Sequence, residues 1–285
     1  MMNTKNKKII ITGGEGMLAD YFKRFAKNRR IIYLTRKELD VSKWKDVKKL
    51  LDMSLTAIIH LAAKTDVDWC EINQKQAYEV NTLGAKYMVS IAKSKKIPLI
   101  FTSTSAVFDG KSAVSYREFD KPHPANYYAE TKFESEKIIQ KELTQYAIIR
   151  LGWLIGKEKK FLSYILKQIN EGKNELRVVD DIKGTITYAY DTVRFIEKII
   201  ANNDQGLFHL ASKGSCTRYD IAEKILKLMR KRIKLVPVKH KDFAVNFPAP
   251  RPKNESIIST KKIKGFKALP TWDETIERIY ALEKF

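Results

Sequence analysis

The chain reads as an α/β protein: a doubly wound, parallel sheet followed by a smaller C-terminal α/β part. Two observations predict this. Short apolar runs alternate with longer amphipathic stretches through the first half of the 285 residues, and the first run ends in a glycine-rich turn that opens a helical pattern. Strand–helix–strand alternation joins parallel strands by right-handed crossovers, with helices on both faces of the sheet.

KKIIIT (7–12), RIIYLT (30–35), AIIHLA (57–62), PLIFTST (98–104) and YAIIRL (146–151) are apolar enough for strands buried on both faces. Between them MLADYFKRFAK, SKWKDVKKLL and QAYEVNTLGAKYMVSIAKSKK carry helical spacing. Past residue 155 the rhythm is less regular. FLSYILKQINEGK and RYDIAEKILKLMRKR read as helices, GLFHLAS (206–212) as a further strand, and the Pro-rich VNFPAPRPKNE as a loop. The expected division is residues 1–152, rejoined by about 186–212, and a second domain made mainly from 153–285.

The totals narrow the function classes. The net charge is +21, but the lysines are scattered rather than gathered with aromatics into a nucleic-acid platform. The expectation is a small-molecule partner and no nucleic acid. No run reaches the roughly 18 apolar residues of a membrane span, and the basic tip MMNTKNKK passes into an apolar run too short for a signal peptide. Two cysteines, Cys70 and Cys216, make neither a disulfide framework nor a metal-ligand spacing, which fits free thiols in the cytoplasm. His60, His123, His209 and His240 are dispersed, and His60 and His209 sit in apolar runs as core residues would. No metal is expected. Asp66, Asp68 and Glu71 cluster in sequence, with helix capping as the simpler reading.

Gly13-x-x-Gly16-x-x-Ala19 follows the first strand and opens a helix with Met17 and Leu18. Glycines there let the chain turn tightly, so that backbone amides at a helix N-terminus approach a pyrophosphate. This is a Rossmann-type dinucleotide site in its usual context. An NAD site ends the second strand with a carboxylate about 20 residues on. This strand ends Tyr33-Leu34-Thr35-Arg36-Lys37. A hydroxyl and a guanidinium suit the 2′-phosphate of NADPH, with NADH also possible; the plain alternative is a solvated Arg36.

The segment ANYYAETKFESEK places Tyr128 and Lys132 four residues apart on one helical face. Thr104 lies at the carboxyl end of PLIFT, where open α/β sheets hold ligands. An unperturbed phenol titrates at about 10; a neighbouring ammonium is expected to lower that value and ready Tyr128 for proton transfer.

A Ser/Thr with YxxxK behind a glycine turn resembles the extended short-chain dehydrogenase/reductases. Six further stretches resemble the dTDP-4-dehydrorhamnose reductase family. HLAAKTDVDWCE is similar to its "AAxTxVDxxE", YEVNTLGAKYM to "VNxxGxxxL", STSAVFDG to "STDYVFDG", IIRLGWLIG to "RxxWVYG", RVVDDIKGTITYAYD to "VVxDQxGxPTxxxD" and FPAPRP to "xPAxRP". They run in order from about residue 7 to 262. The resemblance implies NADPH-dependent reduction of the 4-keto group of a nucleotide-linked 6-deoxyhexose, in nucleotide-sugar and cell-surface polysaccharide biosynthesis, by a monomer or homodimer. The second domain would then be the substrate-binding one.

The resemblance also assigns roles. Thr104, Tyr128, Lys132 and Asn81 would be catalytic. Ala62, Ala63, Lys64 and Thr102 would contact the cofactor, with Asp40 and Val41 at its adenine edge. Thr65, Val67, Thr104, Ser105, Trp153 and Arg251 would contact the substrate, Arg251 at the diphosphate. Plainer readings stand beside these: Trp153 as a core aromatic, Thr65 and Val67 as loop packing, Asp40 as the cap of SKWKDVKKLL, Arg251 as a surface charge. The chain departs from the family at Ser105-Ala106 for Asp-Tyr, at Ile182 and Ile186 for Gln and Pro, and by an extra residue after Arg251-Pro252. Rival functions are a nucleotide-sugar epimerase or dehydratase and a non-catalytic regulatory protein of the same fold. Dehydratases carry an Asp-Glu pair after the catalytic Thr, which Ser105-Ala106 lacks.

Overall fold

The computed structural model describes residues 8–28, 30–156, 161–243 and 247–283; Lys7 of the first expected strand and Val245 and Asn246 of the Pro-rich loop lie outside them. In chain order the elements are β1 (Lys8–Thr12), α1 (Met17–Phe25), β2 (Ile31–Leu34), α2 (Trp44–Val47), β3 (Leu55–His60), α3 (Val67–Ile72), α4 (Gln74–Tyr78), α5 (Gly84–Lys95), β4 (Leu99–Thr104), α6 (Tyr127–Glu142), β5 (Tyr146–Leu151), β6 (Trp153–Ile155), α7 (Phe161–Asn170), β7 (Glu175–Val179), β8 (Ile186–Tyr188), α8 (Ala189–Asn202), β9 (Gly206–Leu210), α9 (Arg218–Leu228), β10 (Lys234–Val238) and α10 (Trp272–Glu283).

The main sheet has the order β2-β1-β3-β4-β5-β9, and every pairing is parallel. Alternate side chains serve opposite faces, as the two-residue period of a strand requires. Ile10, Ile58 and Ile148 join a core with Met88, Ile91 and Ile139 of α5 and α6. Ile9, Ile11, Ile59 and Ile149 join the other core, with Tyr21 and Phe22 of α1 and Val193 and Ile196 of α8. The strand order reverses between β1 and β3, so the crevice for a ligand opens at their carboxyl ends.

The expected strands and helices of the first half are present, with one change. SKWKDVKKLL gives one α-turn, α2, and then a 3-10 turn over Lys48–Asp52. Val47 and Leu50, three residues apart, both point into the core, a spacing that the three-residue period of a 3-10 turn satisfies. Asp40 does not cap that helix: its Oδ1 accepts from Ser42 N at 3.1 Å and Ser42 Oγ at 2.6 Å, in the turn before it.

Beyond β5 the sequence reading marks neither α8 nor α10, nor two parallel ribbons, β6–β8 and β7–β10. The segment 249–258 forms a strap across this region. Ala249 N donates to Asp68 Oδ1 and Asn126 Nδ2 to Pro250 O. Lys183 N donates to Lys253 O, Glu255 N to Lys183 O and Tyr116 N to Ser256 O.

Candidate active site

At the end of β1 the chain turns through Gly13, whose φ of +73° is open to glycine at little cost. A Cβ on Gly13 would lie 2.9 Å from the Ala62 backbone, so the turn nests directly against the loop after β3. Gly16 precedes α1 and has no side chain to cap it, leaving the first amides of the helix free for an anionic group. Thr12 Oγ1 ties the two strand ends together. It accepts from Leu61 N and Ala62 N at 3.2 Å and bonds His60 Nδ1 at 2.7 Å.

Asn81 shapes the next wall. It sits in a π-turn, Glu79–Leu83, between α4 and α5. The extra residue in that turn carries the amide inward. Its Oδ1 accepts from Lys64 N at 2.7 Å, and its Nδ2 donates to Lys64 O at 3.1 Å and Thr131 Oγ1 at 3.0 Å. The side chain therefore stands in for a strand partner where β3 has ended, and holds Ala62–Thr65 as a shelf. Thr131 Oγ1 in turn donates to Tyr128 O at 2.7 Å.

Tyr128 projects from the first turn of α6, whose N-cap Asn126 accepts from Ala129 N at 3.0 Å. Its phenol shares the cleft with the Thr104 side chain at the end of β4, close enough for Thr104 to influence it. Burial pushes the phenol well above its ordinary value; Thr104 pulls it down, and Cys70 and Glu255 push it up. The expectation that Lys132 acidifies Tyr128 is therefore corrected for the cofactor-free chain. The Lys132 ammonium lies over the Phe101 ring, 3.9 Å from its centroid, and burial brings its own pKa down to about 7 against the pull of Glu136. Sequence shows that two groups share a helical face but not how dry that face is.

Beneath Lys132 runs a buried charge chain. Arg150 Nε lies 3.0 and 3.2 Å from the two Glu136 oxygens, its Nη2 lies 2.7 Å from Oε2, and its Nη1 lies 3.5 Å from His209 Nε2. Burial lowers His60 to about 3 and His209 to about 4, so both are neutral, as core residues would be. Among the described residues two buried polar side-chain atoms have no hydrogen-bond partner, His60 Nε2 and Ser103 Oγ, and Ser103 lines the cleft.

These parts border one cleft of about 790 Å³, a size that suits a cofactor or small ligand. Gly13, Gly16, Met17, Leu18, Arg36, Ala62, Ala63, Thr65, Val67, Thr102, Thr104, Tyr128, Lys132, Trp153 and Arg251 line it. Thr35, Asp40, Val41, Lys64, Asn81 and Ser105 stand outside the lining. Thr35 Oγ1 donates to Glu38 at 2.7 Å, Val41 packs beneath Gly84, and Ser105 is buried in a 3-10 turn whose Ala106 faces the cleft instead. Arg36 is exposed and 3.9 Å from Asp40, a contact too long to occupy it.

The far end of the cleft holds Ile182 and Ile186, the two departures from the family pattern noted in the sequence, and also Glu255 and Arg218, which the sequence reading did not single out. Trp153 Nε1 donates to Glu255 Oε2 at 3.1 Å, and the Arg218 guanidinium packs 4.3 Å from the Trp153 ring centroid. Arg251 Nη2 pairs with Asp68 Oδ2 at 2.5 Å. Asp66 caps α3 through Trp69 N, and Glu71 Oε2 accepts from Tyr127 N at the start of α6. The three carboxylates of 66–71 are thus separately engaged. Among the described residues no group of three or more His, Cys, Asp or Glu could hold a metal ion.

The chain matches the family model described as RmlD substrate binding domain over residues 7–284. A spore coat polysaccharide biosynthesis protein of Bacillus subtilis is 28% identical over 282 residues, covering 97% of this chain and 98% of its own. The dTDP-4-dehydrorhamnose reductase of Bacillus anthracis, solved in complex with NADP, is 29% identical with a TM-score of 0.91, over 97% of this chain and 99% of that one. That of Yersinia enterocolitica is 32% identical with a TM-score of 0.91, over 96% and 99%. With the glycine turn, Thr104, Tyr128 and Lys132 gathered on one cleft, the chain belongs to the dTDP-4-dehydrorhamnose reductase family.

Proposed function

We propose that this chain is an NADPH-dependent reductase of the 4-keto group of a nucleotide-linked 4-keto-6-deoxyhexose, serving the biosynthesis of a nucleotide sugar. The observation that carries the reading is that Thr104, Tyr128 and Lys132 line the same cleft as the glycine turn.

The residues present fit the cofactor. Gly13 makes the tight turn against Ala62, no side chain caps the start of α1, and the exposed Arg36 lines the same cleft with only a long contact to Asp40. Gly13, Gly16, Met17 and Leu18 would hold the pyrophosphate, and Arg36 the 2′-phosphate that distinguishes NADPH from NADH. Thr35, Asp40 and Val41 would border the adenine side, and Ala62, Ala63, Lys64 and Thr102 the nicotinamide side. When bound, NADPH supplies the hydride that reaches the carbonyl carbon.

The chain's own groups handle the proton. Tyr128, kept protonated at neutral pH by its burial, gives that proton to the carbonyl oxygen as negative charge develops there. The Thr104 hydroxyl bonds the same oxygen and orients it. Lys132 holds the ribose and carries the positive charge that steadies the phenolate left behind. Asn81 keeps the shelf and the Tyr128 turn in register. Thr65, Val67, Ser105, Trp153 and Arg251 would border the substrate, Arg251 near its diphosphate. We assign the dinucleotide domain to 1–152 with 186–212, and the sugar end to the rest of 153–285. The reading places the protein in the cytoplasm as a monomer or homodimer; no helix among the described residues is long and apolar enough to cross a membrane.

Tyr128→Phe tests the reading. Reduction should fall by roughly 10² to 10⁴, while NADPH affinity, followed by fluorescence titration, stays near that of the parent. Full activity in Tyr128→Phe refutes the proton-transfer role. A panel of dTDP-, UDP-, GDP- and CDP-linked 4-keto sugars, followed by NADPH absorbance, identifies the base; no turnover with any of them refutes the reductase.

A further inference from the structure

We propose that Glu255 determines sugar specificity: its carboxylate accepts a hydrogen bond from a ring hydroxyl of the hexose, so the site rejects sugars that lack that hydroxyl. The inference rests on the reductase reading above.

Glu255 borders the same cleft as Thr104 and Tyr128 and is 8% exposed. Its backbone is fixed, since Glu255 N donates to Lys183 O at 2.8 Å and Lys183 N donates to Lys253 O at 2.8 Å. Its neighbour Asn254 is held through Nδ2 to Ser112 O at 2.9 Å. The side chain is therefore aimed by the strap rather than left to drift. Oε2 takes the Trp153 Nε1 hydrogen at 3.1 Å, while Oε1 takes no hydrogen bond among the described residues.

The charges around it decide what Oε1 can receive. Burial holds the Glu255 carboxyl above its ordinary value, and the Trp153 bond and the charges of Arg218 and Arg251 oppose that rise by favouring the carboxylate. Arg218 makes no ion pair of its own among the described residues, and its guanidinium lies against the Trp153 ring, so it serves as the nearby counter-charge. Arg251 is already paired with Asp68. An ionised carboxylate only accepts hydrogen bonds. Phosphate oxygens are acceptors too and carry like charge, so the diphosphate is the wrong partner; the Glu255 charge acts on the Tyr128 phenol across the same cleft, which puts it at the reacting end, by the sugar. With Arg218 balancing the charge, a neutral donor suffices, and a 4-keto-6-deoxyhexose offers its 2- and 3-hydroxyls.

The rest of this wall points the same way. Gly184 packs on the Trp153 ring, where a Cβ would come within 2.5 Å of Cε2 and Cζ2. Arg218 covers it as well, so the indole offers its N–H edge to Glu255 rather than a bare face to a sugar. Ile182 and Ile186 replace the Gln and Pro of the family pattern, and both face the cleft. The extra residue after Arg251-Pro252 falls in the stretch that carries Glu255. A hydrogen-bonding group is thus missing from one part of the wall and present on another.

A buried group that a hydroxyl should satisfy penalises an analogue without it far more than an apolar pocket penalises a missing methylene. The experiment compares wild type, Glu255→Gln and Glu255→Ala on the 4-keto-6-deoxyhexose nucleotide, on its 2-deoxy and 3-deoxy analogues, and on a 3-amino analogue. The wild type should lose roughly 100-fold in kcat/KM on one deoxy analogue. Glu255→Ala should lose about as much on the full sugar, little on that analogue, and nothing in NADPH affinity, which also reports that it folds. Glu255→Gln, which still accepts, should lie between them. Equal handling of both deoxy sugars by the wild type overturns the inference without any variant. A uniform loss across all sugars in Glu255→Ala, or a preference for the amino sugar, also overturns it. If the wild type reduces no 4-keto sugar, it is the reductase reading that falls.

Discussion

Glu136→Gln leaves Arg150 as a buried cation without its anion. The pair joins α6 to β5 through three N–H···O contacts of 3.0, 3.2 and 2.7 Å, with side-chain exposures of 0% and 3%. Water cannot replace the lost carboxylate there, and the remaining contact, His209 Nε2, is 3.5 Å from Nη1. Removing one member of such a pair costs about 3–5 kcal/mol. Gln keeps an acceptor oxygen, so its loss belongs at the low end, and Glu136→Ala at the high end. Because the total stability of a domain is about 5–15 kcal/mol, this is a large fraction. Replacing both partners, Glu136→Met with Arg150→Met, removes the stranded charge and should recover most of the loss. Urea titrations at pH 7 of the wild type, Glu136→Met, Arg150→Met and the double variant close the double-mutant cycle. The reasoning is refuted if either single variant loses less than about 1 kcal/mol, or if the double variant is no better than the singles. The same substitution removes the charge that supports the Lys132 ammonium. Glu136→Gln should therefore move the alkaline limit of NADPH binding to lower pH.

Gly13→Ala should weaken NADPH binding at least tenfold, because φ is +73° and the new Cβ meets the Ala62 backbone at 2.9 Å. Gly172→Ala, at φ +68° with nothing within 4 Å, should cost only about 1 kcal/mol in thermal unfolding and leave binding unchanged. Asn81→Ala strips both backbone groups of Lys64 of their partner and should cost about 2–3 kcal/mol in urea; normal stability would show the shelf does not depend on it. Stability should also fall on acidification. The unfolded histidines take up protons near pH 6.5, whereas folded His209 and His60 wait until about 4 and about 3. Stability present above pH 6.5 is thus lost progressively as the pH drops through that window, and His209→Gln should flatten the slope of the urea midpoint against pH.

The six-stranded sheet is legible because its strands carry apolar runs rich in Ile and Leu, as burial on both faces demands. The ribbons β6–β8 and β7–β10 are not: β6 and β8 span only three residues each, and β7 and β10 mix buried with exposed positions. In α8, Val193, Ile196 and Ile199 do carry a helical period that sequence reasoning passed over. At the site, Gly13, Thr104, Tyr128 and Lys132 are legible from their order along a βαβ pattern. Glu255 and Arg218 are hidden because a buried charge looks like a surface one until tertiary packing is known. The extra residue after Arg251-Pro252 was the signal available.

The strap of 249–258 reaches Asp68, Tyr116, Asn126 and Lys183, which lie in four separate segments of the chain. It works like a drawstring: one short piece of chain gathers these segments beside the cleft, while Thr104 on β4 and Tyr128 and Lys132 on α6 sit on elements it does not belong to. Exchanging that decapeptide between relatives should therefore transplant sugar preference as a unit, with the reaction itself carried over intact.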